Sequence, residues 1–148
     1  MNRKNLALKF LFAALLATIA FGPSAFSQSQ AVSKGQFTLS FPAQWGKLSL
    51  QPGTYSFAVK AENSSYIVSV AEGRRPLGFV LTSTYSPADS QPLSDHALLC
   101  VRHSGTCSIG ALKMAEGVFF FQLPGNERAQ LAQQPDLIQR VPVLLAQN

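Results

Sequence analysis

Short runs of alternating apolar and polar residues, each closed by a Gly, Pro or Asn turn, recur from Phe37 to Leu123. A period of two sets successive side chains on opposite faces of a strand, so a chain built from such runs must bury one face of each run against the others. Phe37, Leu39 and Phe41 alternate with Thr38 and Ser40, Leu48 and Leu50 follow Trp45-Gly46, and Tyr55, Phe57 and Val59 alternate with Ser56, Ala58 and Lys60. Pro52-Gly53 has type II turn chemistry, in which Pro fixes the first central residue and Gly takes positive φ at the second. Residues 66–71 and 77–83 form the next hairpin, and the apolar run Gly78-Phe79-Val80-Leu81 predicts an arm buried on both faces.

Residues 84–95 carry only Tyr85 and Leu93 as large apolar side chains and read as one long loop. Three more strands are expected at 97–102, 107–113 and 118–123, separated by Ser104-Gly105 and Glu116-Gly117. Seven or eight short strands with Gly and Pro turns and no helical periodicity predict an all-β fold, an antiparallel β-sandwich or small β-barrel. The end of the chain differs. Asn126 can cap a short helix over 127–134 that Pro135 stops. Pro142 lacks a ladder donor, so the apolar segment 141–145 is expected as an edge strand or a docked extended arm.

A chain of 148 residues holds one core of ordinary size. Arg3, Lys4 and Lys9 precede an uncharged apolar stretch, Phe10 to Phe21, that is shorter than the roughly 20 residues a membrane-spanning helix needs. Gly22-Pro23 ends it, and small residues Ala25 and Ser27 allow cleavage before Gln28, with Ser29 and Ala31 as nearby alternatives. The expected organisation is a signal peptide (1–27), a polar linker (28–35), a β domain (36–125) and a C-terminal helix and arm (126–148). Neither cysteine lies at the cleavage site, which excludes an acyl-anchored lipoprotein. The product belongs in a periplasm or outside the cell, with no membrane span after cleavage.

The formal charge of +5 falls to +2 once the three leader cations are gone, and the longest basic run is Arg74-Arg75. No stripe remains for phosphate neutralisation, so nucleic acid is not a partner.

The stretch from Gln36 to Ala61, with Leu50, Gly53, Tyr55 and Phe57 in an L-x-x-G-x-Y-x-F pattern, resembles small secreted bacterial proteins of the acidobacterial type whose function is uncharacterised. The similarity extends more weakly to 78–81 and to Arg140-Val141-Pro142-Val143, and the residues that carry it are structural. The Pro52-Gly53-Thr54-Tyr55 turn is also similar to one in carboxypeptidase-regulatory and prealbumin-like sandwiches, which implies architecture only.

Cys100 and Cys107 are the only cysteines, and an even pair in an exported chain is read as a disulfide. If they face each other across a hairpin, Val101 opposes Thr106 and residues 102–105 form a four-residue loop. A two-residue turn at Ser104-Gly105 would instead set Cys107 against Arg102 and strand both sulfurs, so the four-residue loop is the expected register.

His96, Cys100, His103 and Cys107 suggest a metal site on one helical face, but their ends would lie about 16 Å apart on a helix, too far to share one ion. No metal or other cofactor is expected, and no catalytic residue is assigned. Ser104 or Ser108 with His96 or His103 and Asp89 or Asp95 is the best available triad, and it lacks a nucleophile elbow. Trp45 and Tyr85 could stack on a ligand if exposed, against core packing for Trp45 and incidental exposure for Tyr85. Of Phe119, Phe120 and Phe121 at least one points away from the others, and Phe120 is therefore covered by another layer or available to a partner.

These readings point to a non-catalytic binding or envelope-assembly module whose partner is a protein or envelope component. A small secreted hydrolase using the region from Asp89 to His103 is the competing class. A subunit that offers or accepts a strand through 141–145 is a third. N-terminal sequencing of the exported product is expected to begin at Gln28, and intact mass should show no iodoacetamide adduct until the protein is reduced.

Overall fold

Alternation along each strand can be satisfied by one shared interior, and the chain achieves this by closing its sheet. The computed structural model describes residues 31–89, 93–103, 105–125 and 138–146. Ten strands follow in order: β1 (Ala31–Leu39), β2 (Ala43–Trp45), β3 (Leu48–Leu50), β4 (Gly53–Glu62), β5 (Ser65–Glu72), β6 (Arg75–Pro87), β7 (Ala97–His103), β8 (Thr106–Met114), β9 (Gly117–Phe121) and β10 (Ile138–Leu145). Eight of them close an antiparallel barrel in the order β8-β7-β10-β1-β4-β5-β6-β9, with β9 returning to β8. The β2–β3 hairpin is an addition, joined to β8 through a short parallel pairing.

Phe37 and Leu39 of β1, Tyr55, Phe57 and Val59 of β4, and Val68 and Val70 of β5 all lie inside, as their period predicts. The β4–β5 hairpin closes with Glu62 opposite Ser65, and both loop residues, Asn63 and Ser64, have positive φ. That is the turn whose twist matches two antiparallel strands.

Several expectations change. The segment read as linker already belongs to β1 from Ala31 onward. Its inward position is Gly35, which offers no apolar signal, and a Cβ there would sit 2.7 Å from the Leu144 carbonyl and 2.8 Å from the Phe57 ring. Gly53 opens β4 without positive φ, so Pro52-Gly53 does not adopt the type II geometry. The expected loop 84–95 is strand as far as Pro87, because β6 pairs with β9 from Thr82 to Pro87 past an extra residue at Ser83. Phe79 and Leu81 are not buried on a second face. A barrel has one inside, and these two point outward at 65% and 58% exposure.

Pro142 lies in neither an edge strand nor an arm. β10 sits between β7 and β1, with Val141 and Val143 in the core. The Val143 amide donates to the His96 carbonyl on the β7 side, so the position before it faces β1. Pairing between β1 and β10 covers only Gly35–Phe37 against Val143–Leu145, and Pro142 falls where that ladder has ended. The β1–β10 ladder thus stops at the position where proline has no amide to donate. Residues 127–134, expected as a short helix, lie outside the described residues.

The cysteines do form a disulfide, but in the other register. His103 pairs with Thr106, Cys107 faces Arg102 and Cys100 faces Ile109. Diagonal neighbours in a flat ladder are about 7–8 Å apart. Here their Cα atoms are 5.6 Å apart, within disulfide reach. The strong twist of a tight hairpin beside a bulge brings this one diagonal together.

Gly35→Ala is expected to lower stability by about 1–3 kcal/mol through overpacking, while Gly125→Ala, which meets nothing within 4 Å, should leave the urea midpoint unchanged. Equal midpoints for the two variants would contradict the packing at the β1–β10 seam.

Candidate binding face on the barrel wall

The barrel interior is filled by side chains. Trp45 is fully buried, edge-on to Phe37 at 5.8 Å and to Phe121 at 5.1 Å between ring centroids. Its ring is a core element rather than a surface platform for a ligand. Tyr85 is not on a loop. It lies in β6 with its ring 4.8 Å from both Tyr66 and Phe119, and its hydroxyl donates to the Glu116 carbonyl at 2.7 Å. Burial raises the Tyr85 pKa above the ordinary phenol value, assisted by Tyr66 and Glu116. Phe119 and Phe121 point inward, and Phe120 is 41% exposed on the outer wall.

The groups weighed for a triad are distributed differently. Asp95 accepts from Lys113 of β8 at 2.6 Å and from Arg140 of β10, so one carboxylate ties together the two strands that flank β7. The hydrogen bond from Lys113 holds its carboxyl below the usual range, and the charges of Lys113 and Arg140 add to this. His96 is partly buried, with no hydrogen-bond partner for its Nδ1 among the described residues. Ser108 is buried on β8 opposite Val101, and Asp89 is exposed beyond the end of β6. Among the described residues no group of three His, Cys, Asp or Glu side chains is arranged to hold a metal ion. Among the described residues no helix is long and apolar enough to cross a membrane.

A concave feature lies on the outside of the barrel. The outward positions of β4 and β5 are small: Ser56 and Ala58 on one, Ser69 and Ala71 on the other. The register aligns Lys34, Ala58, Ser69 and Phe79 in one row and Gln36, Ser56, Ala71 and Pro76 in the next. The result is a trough of about 420 Å³ that crosses β1, β4, β5 and β6. Leu144, 72% exposed, stands beside Gln36, and Phe79 and Leu81 stand on β6. A smaller hollow of about 240 Å³ lies on the far side of Gln36, between Thr38, Thr54 and Pro142, at the β1–β10 seam.

Sequence reasoning singled out none of the trough residues. The available signal was that β4 and β5 each carry Ser and Ala at two successive outward positions where a solvated wall would ordinarily carry charge. Comparison with family models, curated proteins and solved structures finds no match to this chain.

A carboxylate whose pKa is lowered on folding stabilises the fold above its unfolded pKa, and that stabilisation disappears as pH falls through the lower, folded value. The stability difference between the wild type and Asp95→Asn is therefore expected to be constant at neutral pH and to vanish in acid. A difference that grows on acidification would contradict the ion-pair geometry.

Proposed function

We infer that the protein is a non-catalytic binding module working outside the cytoplasm, with the outer face of β1, β4, β5 and β6 as its contact surface. The trough carries this reading. A floor of small side chains beside exposed Phe79, Leu81 and Leu144 is a concave apolar patch of the kind that marks interaction sites on soluble proteins. The charged N-terminal leader pattern and the Cys100–Cys107 bond support export, since disulfides persist in oxidising compartments. The engagement of Asp95 with Lys113 and Arg140 supports a structural role for the one acidic residue closest in sequence to a histidine.

The test is retention on a cell-envelope fraction. Ala71→Trp, checked for folding by circular dichroism, is expected to weaken retention about tenfold, equivalent to 1.4 kcal/mol. Asp95→Asn should bind as the wild type does. Equal retention of wild type and Ala71→Trp, or a hydrolytic activity abolished by Asp95→Asn, would overturn the reading.

A further inference from the structure

The chemistry of the trough restricts what can lie in it. The Ser69 hydroxyl donates to the Ala58 carbonyl at 3.2 Å and the Ser56 hydroxyl makes a longer, weaker contact of 3.5 Å to the Ala71 carbonyl, so both floor protons are turned into the sheet. Ala58 and Ala71 add only methyl groups. A ligand on this floor meets mainly apolar surface, and a charged or strongly polar group placed there would exchange its water for no more than the spare acceptor capacity of two serine hydroxyls. Side-chain polarity is concentrated at one end, where Lys34 and Gln36 project from β1. Among the described residues no acidic side chain lines the trough. The β6 end is formed by Pro76 and Gly78, with Phe79 in the adjoining row.

We propose that this trough binds an amphipathic carboxylate, a single apolar chain lying across β4 and β5 with its anionic head at Lys34. The proposal rests on the reading of this face as the contact surface and adds the ligand class. Three inter-strand steps separate β1 from β6, about 14 Å at the usual strand spacing, which suits an extended chain of medium length. The volume of about 420 Å³ lies within the range of small-molecule sites. Lys34 is exposed, so its ion pair orients the ligand while apolar contact with the floor supplies most of the affinity.

The test is an amide chemical-shift titration of the purified protein with decanoate below its micelle concentration. Decanol and decyltrimethylammonium serve as the neutral and charge-reversed probes, and phosphatidylglycerol vesicles as a membrane probe. Decanoate is expected to give saturable shifts at Lys34, Ala58, Ser69 and Ala71, and the ammonium probe to bind about threefold to tenfold more weakly. Lys34→Glu should reverse that order without altering the fold, and Ala71→Trp should remove the shifts for both probes.

Affinity independent of head charge, shifts confined to other faces, or vesicle binding that decanoate does not displace would each overturn the proposal. If decanoate leaves the trough unperturbed while Ala71→Trp still abolishes envelope retention, the ligand class is wrong and the contact surface stands.

Discussion

The closed ring gives this chain a single interior, and the in-or-out parity of each strand decides which side chains reach it. β8 shows how strictly that parity is managed. Cys107 and Ile109 point inward, and unbroken alternation would next send Ala111 and Lys113 into the core. Instead Gly110 is an extra residue opposite the Leu99–Cys100 step of β7, and the phase shifts so that Leu112 and Met114 face inward. Lys113 is released to the outer wall, where it meets Asp95. A charge that would have been buried without a partner becomes part of the clasp across β8, β7 and β10. The space a Cβ would take at Gly110 is bordered by Leu123, 3.0 Å away, so the bulge also seats the chain that follows β9.

Much of this architecture was legible because strand alternation and burial come from the same geometry. Phe37, Leu39, Tyr55, Phe57 and Val59 announce their phase in the sequence and keep it in the barrel. What escaped the sequence depends on long-range pairing. Gly35 carries no apolar signal, yet it is packed between Phe57 and the backbone of β10. Ser83 lets β6 continue past Thr82 to a partner nearly forty residues away, where local composition suggested a loop. Spacing favours the register in which the two cysteines face each other, and the structure adopts the other, because the twist of the hairpin and the bulge at Gly110 bring the diagonal pair within reach.

The candidate site was less legible than the fold. Trp45 and Tyr85 stand out in the sequence as rings that could stack on a ligand and Phe120 as the odd member of three consecutive phenylalanines, and of the three only Phe120 projects from the wall. The trough arises from what is missing on its floor. Ser56, Ala58, Ser69 and Ala71 form a depression only because β4 and β5 pair in a register that sets small residue beside small residue. Each strand alone shows only two small outward residues, too short a run to imply a depression.

The β2–β3 hairpin carries Trp45 into the middle of the barrel, where Gly46 approaches Val80 and Leu48 approaches Gly78. Its indole nitrogen has no acceptor among the described residues, a cost of about 1–3 kcal/mol that the ring contacts with Phe37 and Phe121 offset. Trp45 is also the only tryptophan in the chain. The intrinsic ultraviolet emission of the molecule is therefore dominated by one buried indole, whose colour reports whether this small flap is seated against the core or lifted into solvent.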